Sequence, residues 1–401
     1  MENRAKYPEI LDPFDAAGKI MDQIDKKRGD LKTLNLMIVG KTGVGKSTLI
    51  NALFGEERVK TGIGAPVTKD IERNSVDHLT IYDTPGLELG GENSMSNLLT
   101  QFVEVINKQV EEGTVEDMIH CILYCVSVPS HKFENNEAEF IRLLQQKIKT
   151  HDIPIFIVLT QAFNKNDSAK MKNYIASLGL KIKAIVPVLA EPYYVDEDYT
   201  VKPRGVAELA QMISDSIPES VQETFAAVQC ANMDLKRQKA RKVVAASAAA
   251  AAAIGAVPIP FSDAALLVPE QIGMMAGITA VFGIPVDKAS LAAILSATIG
   301  TGGITILGKN IVSGLLKLIP GAGSIVGGTI SAATAAALTS ALGEAYIAVM
   351  LMIAKGEVSK DFLKTEEGMK ELGRIFAEKM SIVRNSDGTP KVEEEIPSQV
   401  P

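Results

Sequence analysis

The pattern of apolar and polar positions divides this chain into two parts. From about residue 33 to residue 217, short apolar runs alternate with longer segments whose apolar positions recur at helical spacing. This alternation of strands and helices predicts a doubly wound α/β fold with a mainly parallel sheet, whose ligand site lies at the carboxyl ends of the strands. The predicted strands are Leu36–Val39, a segment near Ile71, Leu79–Tyr82, Met118–Val128, Pro154–Leu159 and Ala184–Val188, and the predicted closing helix is Val206–Ile217.

Charged residues become rare beyond about Gln238. The chain carries no charge in Val243–Ser262, Ala289–Gly308 and Leu318–Gly343, and each run is long enough for the roughly 20 residues that cross a hydrocarbon core as a helix. Ala, Gly, Ser and Thr dominate these runs, although Leu, Ile, Phe and Val favour insertion more strongly. We predict an all-α hydrophobic helical domain at 243–357 that associates with a membrane, with a soluble Ala-rich bundle as the alternative.

Basic residues cluster immediately before the first uncharged run. Such a cluster is typical of a cytoplasmic segment that faces anionic lipid headgroups, so we predict lipid contact through residues 236–357. A solvated basic helix is the alternative. The cluster consists of Lys236, Arg237, Lys239, Arg241 and Lys242.

Four further segments complete the predicted domain organisation. Residues 1–32 form an amphipathic helix, which we expect to pack on the domain at 33–218, with a partner protein as the alternative. Residues 219–242 form a basic connecting helix. Residues 358–384 form another amphipathic helix, and residues 385–401 form a disordered acidic tail.

Composition narrows the expected partners and environment. The 401 residues carry a net charge of −7 with a pI near 5.4, which argues against a general nucleic-acid-binding surface. Cys121, Cys125 and Cys230 lack the spacing of metal ligands, and Cys121 and Cys125 share one face of a predicted strand as core thiols. The first residues show no apolar signal segment, so we expect a cytoplasmic protein with no nucleic-acid partner.

A glycine-rich loop follows the first predicted strand. Residues 40–47 match the G-x-x-x-x-G-K-S pattern, whose backbone N–H groups cradle phosphates at a helix N-terminus. Lys46 is expected to reach the β- and γ-phosphates of a nucleoside triphosphate, and the Ser47 hydroxyl is expected to hold Mg²⁺. The predicted nucleotide contacts from this segment are Gly40, Thr42, Gly43, Val44, Gly45, Lys46, Ser47 and Thr48.

An acidic turn follows the strand that ends at Tyr82. In the Asp-Thr-Pro-Gly sequence at 83–86, the Asp83 carboxylate can anchor a Mg²⁺-bound water and the Gly86 N–H can contact the γ-phosphate. Thr68 lies upstream, in a segment that can close onto the same Mg²⁺. The sequence therefore predicts a γ-phosphate sensor. The predicted metal ligands are Ser47, Thr68 and Asp83, and the predicted catalytic residues are Lys46, Thr68 and Gly86.

With these motifs, residues 33–217 resemble the translation-factor-class GTPases and are most similar to the Era and TrmE-like group. The resemblance implies GTP and GDP as ligands, Mg²⁺ as cofactor, and hydrolysis of GTP to GDP and phosphate. Further along, the segments Ile254–Phe261, Asp263–Pro269 and Leu315–Gly323 resemble the C-terminal domain of YcjF-type bacterial inner-membrane proteins. This second resemblance implies a location at the cytoplasmic face of the inner membrane.

The base-reading motif departs from the GTPase pattern. The family's Asn/Thr-Lys-x-Asp should follow the fifth strand, where this chain has Thr160-Gln161. A literal Asn-Lys-Asn-Asp occurs at 164–167, so either a longer loop returns Asp167 to the base or the match is an accident of a helix start, which we favour. Guanine preference is thus implied by resemblance, with Thr160, Gln161 and Ala190 as the predicted base-side contacts.

Leu87 stands where many GTPases place the glutamine that orients the attacking water. An apolar side chain cannot do this, so we predict slow intrinsic turnover. Relatives with an apolar residue here often gain the missing group through dimerisation or a partner, so a homodimer is one expectation. The leading hypothesis is a GTP-binding, slowly hydrolysing, membrane-associated switch. The alternatives are a soluble Era-like GTPase of ribosome or RNA assembly and a nucleotide-binding scaffold that does not hydrolyse GTP.

Overall fold

A computed structural model describes residues 13–55, 71–84, 99–106, 118–148, 153–255, 263–299 and 332–378, the last range with gaps at 369, 372, 376 and 377. The chain forms two compact units. One is Leu31–Lys236, and the other combines Met1–Asp30 with Arg237–Pro401. Each unit has its own apolar core.

The first unit is built on a six-stranded sheet. Its strands, in chain order, are β1 (Leu34–Val39), β2 (Glu72–Val76), β3 (Leu79–Asp83), β4 (Cys121–Ser127), β5 (Ile155–Thr160) and β6 (Ala184–Pro187). Their order across the sheet is β2-β3-β1-β4-β5-β6, and only the edge pair β2–β3 is antiparallel. The predicted mainly parallel α/β sheet is confirmed, with the segment after Ile71 as its antiparallel edge.

Helices cover both faces of this sheet. They are α2 (Lys46–Phe54), α3 (residues 99–106), α4 (Asn135–Lys147), α5 (Lys165–Ser177), α6 (Val206–Ser214) and α7 (Glu219–Val228). A two-stranded hairpin, β7 (Tyr193–Tyr194) and β8 (Thr200–Val201), precedes α6.

Side-chain alternation along the strands explains the two layers. In β1, Leu36 and Ile38 belong to one core while Met37 and Val39 belong to the other, because successive strand residues point to opposite faces. Cys121 and Cys125 lie on a single face, in the core that contains Leu36. Their interpretation as core thiols is confirmed, and burial raises the pKa of Cys125 to about 12.

The predicted single helix at 219–242 is wrong, because α7 ends at Val228 and α8 (Met233–Gly255) begins after a turn. Asn232 produces this break: its Oδ1 accepts the Leu235 N–H at 2.9 Å, which caps the new helix. Lys236 is 2% exposed, and its ammonium donates to the carbonyls of Ala226 and Ala227 at the end of α7. The predicted role of Lys236 at lipid headgroups is therefore also wrong.

The second unit is helical, as predicted. It contains α1 (Pro13–Gly29), most of α8, α9 (Asp263–Phe282), α10 (Lys288–Ile299) and α11 (Ala332–Ala354). Buried residues Ala17, Ile20 and Ile24 of α1 share one core with α9 and α10. The expectation that the N-terminal helix packs on the nucleotide domain is wrong, since an amphipathic pattern shows that one face is buried but not against which partner.

One described helix is long and apolar enough to cross a membrane. It is the Ala335–Ala354 part of α11, and 53% of its most apolar window is buried in the structure. Tyr346 of this helix is buried, and its hydroxyl lies 2.7 Å from Thr279 Oγ1 on α9. Glu344, near the middle of the helix, pairs with Arg241 of α8 through contacts of 2.9–3.2 Å.

Candidate functional site

The glycine-rich loop lies at the carboxyl end of β1 and leads into α2. Gly43 and Gly45 have φ values of 76° and 90°, in the left-handed region that favours glycine. At Gly40, an added Cβ would lie 2.6 Å from the carbonyl oxygen of Cys125 on β4, so a side chain would clash with the neighbouring strand. The glycine spacing is therefore required by local backbone conformation and by packing.

The N-terminus of α2 faces this loop. Among the described residues, no side chain caps the helix, and its preceding residue is Gly45. The first N–H groups of a helix lack partners within the helix and carry a partial positive charge, so such an end can bind an anion. Lys46 adds a full charge, and its Nζ lies 3.0 Å from the Gly40 carbonyl oxygen. Ser47 stands in the same first turn of α2. The structure thus brings the predicted phosphate contacts together.

Asp83 ends β3, directly beside the strand that leads into the loop. Its partner in the parallel register is Ile38 of β1. Among the described residues, Asp83 Oδ1 and Thr84 Oγ1 are buried side-chain atoms with no hydrogen-bond partner. Burial raises the pKa of the Asp83 carboxyl group, and the charge of Lys46 opposes that rise. A buried acceptor without a partner is costly, so this position favours a cation or a water bound to one.

The oxygen atoms of Ser47 and Asp83 fit Mg²⁺, which prefers oxygen ligands. In nucleotide sites Mg²⁺ often takes only one or two ligands from the protein, and phosphate oxygens supply others. The described residues contain no group of three His, Cys, Asp or Glu side chains that could hold a metal ion. Ser47 and Asp83 are the described members of the predicted ligand set, and they would hold the metal together with nucleotide oxygens. The other predicted members of the sensor, Thr68 and Gly86, and the neighbouring Leu87, lie outside the described residues.

Thr160 and Gln161, at the end of β5, contact the phosphate loop through their side chains. Thr160 is 3% exposed, and its hydroxyl donates to the carbonyl of Val44 at 2.5 Å and of Val126 at 3.1 Å. Gln161 Oε1 accepts from Ser127 Oγ at 2.8 Å, while its Nε2 lies 3.5 Å from Gly43 O. Both side chains support the loop. Their predicted contact with a base stays a prediction.

The Asn-Lys-Asn-Asp segment begins helix α5. Asn164 is the residue before the helix, and its Oδ1 accepts the N–H groups of Asn166 and Asp167 at 2.9 and 3.2 Å. Asp167 lies in the first helical turn, with its carboxylate 3.5 Å from Lys170 Nζ. This geometry supports the interpretation of the motif match as a helix start.

Sequence reasoning missed a charged contact on the phosphate loop. Lys41 Nζ lies 3.1 Å from Glu134 and 3.3 Å from Glu137, at the N-terminus of α4. Glu137 is 2% exposed, and it also accepts from the Tyr124 hydroxyl and from the Glu134 N–H. Burial lowers the pKa of Lys41, but the two carboxylates outweigh that effect and raise it. The Glu134-x-x-Glu137 spacing signals a capping box, yet no sequence pattern signals the ion pair.

A second missed residue, Arg204, lies beside the segment that follows the predicted base contacts Thr160 and Gln161. Its guanidinium Nη2 donates to the carbonyls of Ala162 and Phe163, just after Gln161. Its backbone forms an antiparallel bridge with Leu189, the residue before the predicted base contact Ala190. The structure thus joins the segments that follow β5 and β6.

Comparison with known proteins finds similarity in both parts of the chain. The family described as "50S ribosome-binding GTPase" matches residues 35–161, and the family described as "Domain of unknown function (DUF697)" matches residues 220–368. Human septin-9 is 32% identical over 140 residues, covering 28% of this chain and 24% of septin-9. Septin-1 from Drosophila melanogaster is 27% identical over 215 residues, covering 46% of this chain and 55% of septin-1. The chain therefore spans between 24% and 55% of the length of these relatives.

A solved structure of Toc33 from Arabidopsis thaliana in complex with Mg²⁺ and GMPPNP is also similar. It is 20% identical to this chain with a TM-score of 0.30, and the match covers 53% of this chain and 93% of Toc33.

Proposed function

We propose a switch function for this chain, which carries a GTP-binding P-loop GTPase domain followed by a DUF697 domain. The chain binds GTP with Mg²⁺, hydrolyses it slowly, and associates with a membrane through its C-terminal helices, at the cytoplasmic face of the inner membrane. The proposal rests on the buried Asp83 Oδ1 beside the phosphate loop, which has no hydrogen-bond partner among the described residues. It rests also on the long uncharged segments that follow in the chain.

The chain's own residues grip the phosphates. Backbone N–H groups of the loop and of the first turn of α2 bind phosphate oxygens, and Lys46 adds a full positive charge. GTPases of this kind generally use Mg²⁺, which neutralises negative charge on the phosphates when it is bound. Ser47, Thr68 and Asp83 would hold it, and the Gly86 N–H would contact the γ-phosphate.

Slow hydrolysis follows from Leu87. Its side chain has no group that can orient or deprotonate water, so the attacking water is left without a positioned partner from this residue. A second copy of the chain can supply such a group, which is why we include homodimerisation in the proposal.

Membrane association is supported by the apolar length of α11 and by the three uncharged runs. The Glu344–Arg241 pair limits how α11 can insert into a bilayer. Charged groups at membrane depth are costly unless they are paired and face the protein interior. Lys242 is exposed beside this pair and remains available to anionic headgroups. The proposal is therefore association with the bilayer and does not specify a number of spans.

Calorimetric titration of the full chain with GTP, GDP and ATP tests the nucleotide part. GTP and GDP should bind with Mg²⁺, ATP should bind more weakly, and Lys46→Ala should lose binding. Multiple-turnover phosphate release should be measurable but slow in the wild type and absent in Lys46→Ala. Preference for ATP would overturn the assignment of GTP, and a complete lack of turnover would favour the non-hydrolysing scaffold.

Flotation with vesicles tests the membrane part. Full-length protein should float with vesicles that contain anionic lipid, and less with purely zwitterionic vesicles. Lys46→Ala serves as a matched variant that separates nucleotide-dependent from constitutive binding. Recovery of all the protein in the soluble fraction, with and without GTP, would leave a soluble GTPase with a helical bundle.

A second candidate is a soluble GTPase of ribosome or RNA assembly. The match of residues 35–161 to a family of 50S ribosome-binding GTPases favours it. The net charge of −7 opposes it, because phosphate backbones are bound mainly by basic surfaces. RNA binding that weakens steeply with salt, together with failure to float with vesicles, would establish this candidate over the first.

A further inference from the structure

Among the described residues, the predicted base contacts Thr160, Gln161 and Ala190 include no carboxylate. The register that should carry the base-reading Asp instead has Thr160-Gln161, and the Asp167 alternative lies in the first turn of α5. A base bound at these residues would meet the Gln161 side chain and the backbone groups of the two segments that follow β5 and β6. Backbone groups select well only if they are held in place, because a shift of about 1 Å weakens a directional contact.

We propose that Arg204 is a specificity-determining positioning residue, which fixes the two segments that form the base side of the site. This inference rests on the proposed nucleotide binding. Its guanidinium donates to Ala162 O and, at 3.2 Å, to Phe163 O, so it holds the carbonyl groups directly after Gln161. Bonds from a charged donor are stronger than neutral ones, so one side chain can fix this turn.

The backbone of Arg204 is fixed as well. Its N–H and carbonyl exchange two hydrogen bonds of 2.9 Å with Leu189, one residue before Ala190. The next residue, Gly205, has φ 82°, and an added Cβ would lie 2.1 Å from the carbonyl oxygen of Pro187. Arg204 is therefore attached to the segment after β6 while its side chain holds the segment after β5.

An aromatic pair reinforces the same junction. The rings of Phe163 and Tyr193 are stacked, with centroids 4.1 Å apart and planes 8° from parallel. Phe163 carries one of the two carbonyls to which Arg204 donates, and Tyr193 begins the hairpin strand β7. Ala162 N–H also donates to Val188 O at 3.1 Å. Hydrogen bonds from the Arg204 guanidinium, the stacked aromatic pair and a backbone hydrogen bond thus hold one turn against the segment that contains Ala190.

The test measures base discrimination in the full-length protein. Affinities for GTP and ATP are determined by competition, with inorganic tripolyphosphate as a probe of the phosphate grip alone. Arg204→Gln should lower the ratio of GTP to ATP affinity roughly tenfold to hundredfold, the scale of a lost charged hydrogen bond, and leave tripolyphosphate affinity unchanged. Arg204→Lys should restore part of the ratio, because it retains one positioned donor.

Matched controls separate positioning from a general loss of structure. Lys202→Gln makes the same change of charge at an exposed hairpin residue and should leave the ratio at the wild-type value. Tyr193→Ala should reduce the ratio and Tyr193→Phe should preserve it; Tyr193 is 41% exposed, so this pair remains informative if Arg204→Gln fails to fold.

Three results would overturn one or both proposals. Wild-type protein that binds tripolyphosphate but neither GTP nor GDP would overturn the proposed function and this inference with it. Wild-type protein that prefers GTP, with an unchanged ratio in both Arg204→Gln and Tyr193→Ala, would overturn only the inference. Equal losses for GTP, ATP and tripolyphosphate would assign Arg204 a merely structural role and would also overturn it.

Discussion

Thr160 links β5 to the phosphate loop through a single buried hydroxyl. The Thr160→Val substitution preserves the shape of the side chain and removes the donor to the carbonyls of Val44 and Val126, at 2.5 and 3.1 Å. Leaving buried acceptors without this donor should cost about 1–3 kcal/mol in the free energy of unfolding. For a domain of this size, that corresponds to a fall in Tm of about 2–12 °C.

Urea unfolding followed by tyrosine fluorescence measures this loss in the full chain. The chain has no Trp, and six of its eight Tyr residues lie in Leu31–Lys236, so the signal reports mainly on this unit. Thr160→Val should lower the unfolding midpoint, and it should also weaken GDP binding because Val44 lies in the phosphate loop.

Thr160→Ser is the matched control, since it keeps the hydroxyl and removes only a methyl group. It should lose less stability than Thr160→Val and should bind GDP nearly as the wild type does. An unchanged midpoint and GDP affinity in Thr160→Val, or an equal loss in Thr160→Ser, would refute the reasoning that the hydroxyl supports the loop.

Three further predictions concern buried groups elsewhere. Burial raises the pKa of the Asp83 carboxyl group, so this group binds a proton more tightly in the folded protein than in the unfolded chain. The stabilisation that results is complete below the unfolded pKa of about 3.8, and it is lost as pH rises through the folded pKa. Asp83→Asn should therefore stabilise the ligand-free protein at pH 7, which urea unfolding in the presence of a chelator measures. The same substitution should weaken Mg²⁺-dependent GTP binding, which titration with GTP measures. A destabilised ligand-free variant would contradict the reasoning. Glu137→Gln should cost about 1–3 kcal/mol by weakening its contacts with Lys41 and Tyr124, whereas Glu139→Gln, at an exposed position, should cost little in the same unfolding assay. Ile20→Ala should cost about 2–5 kcal/mol in the unit that contains α9 and α10, measured by thermal loss of helical circular dichroism, with GDP affinity unchanged.

Local pattern predicted the phosphate loop and the order of strands and helices. The glycines at 43 and 45 are required by left-handed backbone conformations of the loop itself, so their spacing carries the information. Buried strands such as β4 and β5 appear as apolar runs because the sheet is covered on both faces. The position of Asp83 at a strand end follows from the same pattern and places it beside β1 once the strands are parallel.

Sequence by itself therefore determined the glycine-rich loop between β1 and α2, the α/β sheet and the helical character of the C-terminal part. Tertiary structure alone decided that Lys41 meets Glu137, that Lys236 caps α7, that Arg204 joins the two base-side segments, and that α1 packs with α9 and α10. Local conformation depends on neighbours in sequence. These contacts, by contrast, join residues of different elements, which come together only when the sheet and the helices have packed.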